Sequence, residues 1–163
     1  MAVDYFLKFD SIEGESTDFQ HKGSIDLESF SWGVHDTIST AGGAARAGRP
    51  SFEDFHFTAA TSKASPKMFI DCVKGTILNS ATLSARKGVA NEGGAPDFLT
   101  IKMEHVLISS YSEAGSHAGT DDRPMDAVSL NFGKITFTYV PQSPTGTKGE
   151  AVTESWDLRA QKA

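Results

Sequence analysis

Apolar and polar positions alternate along much of the chain, and in several places the alternation changes phase. In SLNFGKITFTYV (129–140), Leu130 and Phe132 are even-numbered, whereas Ile135, Phe137 and Tyr139 are odd-numbered. A strand sends successive side chains to opposite faces, so a slip of one residue turns its apolar set over. SIDLESFSWGV (24–34) changes phase between Ile25/Leu27 and Phe30/Trp32/Val34, and FEDFHFTA (52–59) does so between Phe52 and Phe55/Phe57/Ala59. VDYFLKFD (3–10) keeps Val3, Tyr5, Leu7 and Phe9 on one face. TILNSATLSARK (76–87), FLTIKMEHVLISSY (98–111) and AVTESWDL (151–158) alternate as well, and Val106 and Ile108 make the far end of the second apolar on both faces. Together these predict about seven strands.

One segment has a different period. SPKMFIDCVKG (65–75) places Ser65 at an N-cap, Pro66 at the first helical position and Gly75 just past the end. Met68, Phe69, Cys72 and Val73 share one helical face, which a helix this short must dock against a sheet. The phase changes suit strands that turn a corner from one sheet into another, with a glycine or an extra residue at the corner. Gly133-Lys134 therefore reads as a bulge in one curved strand, rather than a joint between two short strands. The expected architecture is mainly β: a two-sheet closed β-barrel or sandwich with one docked helix over about 65–74. An extended small-residue loop over about 38–51 completes it, within one domain spanning 1–163.

Composition narrows the functions available. The chain has 163 residues, 39% hydrophobic and 22% charged, with a formal charge of -6 and a pI near 5.3. No basic stripe exists for nucleic acid or an anionic membrane. The single cysteine, Cys72, excludes an internal disulfide framework and suits a reducing compartment. The opening MAVDYFLKFD interrupts its apolar residues with Asp4, Lys8 and Asp10, so it reads as neither a signal peptide nor a membrane span.

Candidate chemistry is sparse. GGAARAGRP (42–50) lacks the Lys and Ser or Thr of a phosphate loop, and runs into a Phe-rich strand. The long connection of small residues around it, from Ile38 to Ser51, points to a flexible hairpin that orders on a neighbouring subunit, or to plain surface disorder. Cys72 reads as a small core hydrophobe, and His105 as a hydrogen-bonded core residue on the apolar face of its strand. The other histidines show no metal spacing, and Asp121-Asp122 lacks the alternating ligands of a calcium loop. No catalytic, cofactor or metal site is expected.

Six segments in order carry a resemblance over nearly the whole chain: MAVDYFLKFDSIEGES, ESFSWG, ASPKMFIDCVKG, FLTIKMEHVLISSYS, VSLNFGKITFTYVPQ and ESWDLRAQKA. Together they resemble the haemolysin-coregulated protein (Hcp) family, the tube proteins of bacterial type VI secretion. The resemblance implies a β-barrel with a helix on its side, a homohexameric ring, and rings stacked into a tube. It also implies a spike protein at the tip, a contractile sheath around the tube, and small effectors in the lumen. Such a protein is cytoplasmic before firing and then leaves without a signal peptide. On that reading Arg46 and Arg49 would meet acidic partners such as Glu13 or Glu15 across subunits or rings. Val106 and Ile108 would supply apolar seam surface, and Ser31 would face the lumen. The chain ends soon after the expected barrel, so no fused toxin domain is expected. Two other readings remain: a monomeric β-sandwich ligand-binding module, and a hydrolase using Glu104 or Asp97.

Overall fold

The computed structural model describes residues 3–40, 42–87, 96–117, 123–142 and 148–163. Among them run β1 (Val3–Phe9), β2 (Ile25–Leu27), β3 (Ser29–Ser31), β4 (Val34–Ser39), β5 (Arg46–Phe52) and β6 (Phe55–Ala60). Then come α1 (Ala64–Lys74), β7 (Leu78–Lys87), β8 (Asp97–Ala114), β9 (Met125–Asn131), β10 (Lys134–Tyr139) and β11 (Val152–Asp157). All the strand pairs are antiparallel. Nine strands form one sheet, ordered β2-β1-β7-β8-β9-β6-β3, with β10 and β11 added alongside β8.

The sequence expectation of a mainly β protein with one helix agrees with this fold, but no sheet closes into a barrel. The hydrogen-bonded path has two ends, β2 and β3, which are consecutive pieces of one segment. β2 pairs with β1 and β3 with β6, and the ladder breaks at Glu28, whose N–H donates to Thr58 O at 2.8 Å. The open sheet bends around one core that includes Leu7, Phe9, Phe55, Phe57, Leu83, Ile101, Met103 and Leu130. Each such side chain contributes about 1.5–3 kcal/mol by leaving water.

The phase change at 129–140 has a cause other than the expected bulge. β9 and β10 are separate strands joined through Phe132 and Gly133, and both pair along β8. The irregularity lies in β8 itself, whose buried positions pass from Ile101 and Met103 to Val106 and Ile108. Between them His105 has φ 56, a left-handed conformation uncommon for a side-chain-bearing residue. Gly133 faces this point and its N–H donates to the carbonyls of Glu104 and His105 at 2.9 and 3.1 Å. A Cβ on Gly133 would stand 3.0 Å from His105 Cβ, so the crossing favours glycine. His105 is exposed, not a core residue as expected; its Nε2 lies 3.3 Å from Arg159 Nη1.

The extended loop expected over about 38–51 is largely strand. β4 and β5 form a two-stranded sheet of their own, and Asp36 Oδ1 accepts the Gly48 N–H at 2.7 Å. Small residues hid these strands because a hairpin outside the core needs no inward apolar phase.

The helix docks differently from its expected face. Ala64, Ser65, Met68 and Asp71 are buried, whereas Phe69 and Val73 are exposed and Cys72 is half-buried. Ser65 is no N-cap. Lys63 holds that position without a side-chain cap bond, while the Ser65 hydroxyl donates to Asp126 Oδ2. Gly75 does end the helix as expected, with φ 63. Asp126, 0% exposed, also accepts hydrogen bonds from Thr61 Oγ1 at 2.9 Å and Tyr111 OH at 3.0 Å. One carboxylate thus ties α1 and its approach to β8 and β9. Burial, reinforced by the Asp126 bond, pushes the Tyr111 hydroxyl up to about 12.

A second polar clamp fastens residues 11–24 to the outer side of β1 and β7. Arg86, 3% exposed, pairs with Asp18 and lies over the Phe6 ring at 5.3 Å. His21 stacks on the Phe6 ring, with centroids 4.4 Å apart, and bonds Asp97 at 2.9 Å. The Arg86 hydrogen bond, helped by the N–H groups of Gln20 and His21, holds the Asp18 carboxyl down at about 2.

Two outcomes check these clamps. Asp126→Ala strands three hydroxyls and should cost about 3 kcal/mol, read as a lower urea midpoint at unchanged slope. Asp18 is depressed in the folded state, so its contribution is complete above the ordinary 3.8 and fades as pH falls towards about 2. The urea midpoint of the wild type should therefore drop more steeply between pH 4 and 2 than that of Asp18→Asn.

Candidate functional site: a neutral polar wall

The face of the sheet turned away from the core at β3, β6, β9 and the C-terminal half of β8 is built from small polar residues. Strand alternation makes it so. Phe30, Phe55, Phe57, Val128 and Leu130 point inward, which turns Ser29, Ser31, His56, Thr58, Ala127 and Ser129 outward. The register sets them in rows: Ser31 opposite His56 and Ser129, and Ser29 opposite Thr58 and Ala127. β8 extends the rows with Ser110 and Ser112. These residues line a shallow groove of about 300 Å³ that contains no Lys, Arg, Asp or Glu.

Hydrogen bonds across the strands hold the wall flat. Ser29 Oγ and Thr58 Oγ1 share one at 2.6 Å, as do His56 Nδ1 and Ser129 Oγ at 2.6 Å. At one margin Ser109 Oγ and Asn131 Nδ2 both donate to Asp54, at 2.7 and 3.1 Å. A Ser-His contact at this distance has the first element of a nucleophile-base pair. The orienting third group is missing: among the described residues no carboxylate bonds the other nitrogen of His56, and Asp54 is occupied by its two donors. Among the described residues no group of three or more His, Cys, Asp or Glu could hold a metal. Repeated hydroxyls can hydrogen-bond a polar surface laid against them, and they neither attract nor repel charge.

The expected site residues scatter. Ser31 lies in the wall, outward as predicted from its aromatic neighbours. Arg49 is exposed on β5; Arg46 also lies on β5, but its side chain falls outside the described residues. Glu13 is exposed on the 11–24 segment and pairs with Lys63 of the same chain at 3.4 Å. Glu15 lines a separate cleft with Arg123. Val106 and Ile108 are core residues, 0% and 3% exposed, which corrects their assignment to a seam. The apolar look of both faces of β8 reflects its phase change at His105. The hydrolase candidates are engaged elsewhere: Asp97 by His21, and Glu104 by Lys134 at 3.9 Å. Asp121-Asp122 lies outside the described residues. The remaining wall residues escaped sequence reasoning, although a signal existed: apart from His56 and Ala127, the outward positions lining the groove on four strands are Ser or Thr.

The bent antiparallel sheet presents a broad, neutral face, with no assembled chemical centre among the described residues. The comparisons agree. A family model described as type VI secretion system effector, Hcp, matches residues 6–139. Protein hcp1 of Pseudomonas aeruginosa is 36% identical over 161 residues, covering 98% of this chain and 97% of its own length. A solved structure of a type six secretion system protein superposes with a TM-score of 0.90 at 29% identity, with 99% of each chain covered. Hcp1 from Salmonella typhimurium gives 0.80 at 29% identity and the same coverage. The chain belongs to the Hcp family, whose members are structural tube proteins of type VI secretion and not enzymes. Among the described residues no helix is long and apolar enough to cross a membrane.

Proposed function

We propose that this chain, acting as one unit over 1–163, is the ring-forming subunit of a secreted inner tube. Six copies form a ring, rings stack, and the wall around Ser31 lines the lumen. The observation that carries this is the charge-free face of small hydroxyl residues on β3, β6, β8 and β9. A lumen wall of that kind passes or holds small effectors of either charge by hydrogen bonding, without binding them too tightly to release. The projecting β4–β5 hairpin supports stacking. A lone two-stranded hairpin is marginal in water, and Val34 and Ile38 are exposed on this one. Arg49 on the same hairpin is placed to reach acidic groups of an adjacent copy. On this reading the tube assembles in the cytoplasm under a spike protein and inside a contractile sheath, and leaves without a signal peptide.

A monomeric sugar-binding module is less well supported. The aromatics beneath the wall, Phe30 and Phe57, stack into the core and offer no platform for a ligand ring.

Six copies at -6 each bring -36 into a ring, so association proceeds against mutual repulsion. Native mass spectrometry across salt should show a six-subunit species whose population rises with ionic strength; a monomer at every salt concentration overturns the ring. Ser31→Tyr should leave that species intact and lower co-purified effector at least about tenfold, equivalent to roughly 1.4 kcal/mol. Unchanged effector binding removes Ser31 from the lumen wall.

A further inference from the structure

The helix docks through Ala64 and Met68 but leaves a second apolar strip uncovered. α1 buries an acid, Asp71, while Phe69, Val73 and Ile77 just beyond its C-cap are 52%, 66% and 58% exposed. Phe69 and Val73 are four residues apart, one turn along the same side. Lys67, which also pairs with Asp71 at 3.3 Å, and Lys74 flank them. An exposed apolar ridge of this kind marks a surface that another surface covers.

A second uncovered apolar surface lies on another part of the chain. The core-facing side of β8, β10 and β11 forms three rows in register: Met103–Ile135–Trp156, Ile101–Phe137–Glu154 and Leu99–Tyr139–Val152. Met103, Ile135 and Ile101 sit in the core. Further along, the same face emerges from it. Phe137, Tyr139 and Val152 are exposed, and Trp32 lies against Phe137 with ring centroids 5.9 Å apart. The margin here is mainly acidic: three glutamates stand against Lys87, which lies over the Phe98 ring beside Tyr139. Glu154 stands opposite Phe137, Glu150 precedes Val152 by two residues, and Glu53 donates its N–H to Gly33 beside Trp32.

We propose that these two surfaces are the two halves of one contact: α1 of one copy packs on the emerging face of β8, β10 and β11 of the next. Phe69, Val73 and Ile77 then cover Phe137, Tyr139 and Val152, and the lysine margin meets the glutamate margin. The second copy is favoured as occupant because both halves reside on one chain and their rims carry opposite charge. Two different patches meeting make a head-to-tail contact, in which every copy gives one patch and receives the other, as a closed ring requires. The contact also draws two oppositely charged margins together within a subunit whose net charge is repulsive. This proposal rests on the ring-forming reading and names its seam.

The test starts from the full chain, with its oligomer measured first by native mass spectrometry. Val73→Cys and Val152→Cys are then combined on a Cys72→Ser background and oxidised. The expected result is a covalent ladder reaching the copy number of the wild-type assembly, lost in each single-cysteine variant. Val73→Asp should dissociate the assembly at least tenfold more readily, with unchanged circular dichroism, because the residue touches solvent in the isolated subunit. If the wild type assembles but the double-cysteine protein stays monomeric, the seam is wrong and the ring stands. If Val73→Cys alone yields a dimer, α1 meets α1 and the proposed pairing is overturned. If the wild type never assembles, the ring reading itself fails, and the seam with it.

Discussion

The fold depends on how β8 turns at His105. This strand carries β7 on one edge and, on the other, first β10 and then β9, so it belongs to every large part of the sheet. At His105 the backbone takes a left-handed conformation, and the buried phase passes from Ile101 and Met103 to Val106 and Ile108. The turn lets one continuous strand line two stretches of the core that face different ways. Gly133 completes the device from the partner side, by offering no Cβ where the two chains approach. Local strain at one residue is offset by apolar burial on either side of it.

Polar clamps do what the apolar core leaves undone. The core fixes the strands and takes in Ile12, Ala64 and Met68, while charged groups add a second attachment for α1 and the 11–24 segment. Asp126 gathers hydroxyls from Thr61, Ser65 and Tyr111, and Arg86 reaches Asp18 across the ring of Phe6. Buried polar groups of this kind are costly unless satisfied, so they specify position sharply. They supplement Ala64 and Met68, so the rest of the helix's apolar residues are not needed for docking. Phe69, Val73 and Ile77 are left facing solvent, an arrangement that makes physical sense in an assembly more than in a lone chain.

The candidate site follows from the same alternation that builds the core. Each Phe or Val turned inward from β3, β6 and β9 turns a Ser, Thr, His or Ala outward. The chain uses small neutral residues in that outward phase, where a surface in contact with water usually mixes in charges. A catalytic group would have required an orienting partner, and the His56–Ser129 pair has none among the described residues.

Much of this was legible in the sequence. The mainly β class, the single helix ending at Gly75, the outward Ser31 and the family resemblance came from alternation, capping residues and ordered motifs, which are local properties of the chain. What escaped were consequences of long-range contact. The open path from β2 to β3, the hairpin strands 34–39 and 46–52, and the division of 129–140 into two strands depend on which backbone edge meets which. Val106 and Ile108 looked like surface because periodicity cannot see a strand reverse its phase in place. Phe69 and Val73 looked like core because an apolar helical face is normally the docking face, but Ala64 and Met68, with the Ser65–Asp126 bond, took that role. The sequence by itself determined which residues prefer strand, helix or turn, since those preferences act within a few residues. Only the tertiary structure decided which apolar residues are buried and which stay exposed, because burial depends on what the rest of the chain brings against them.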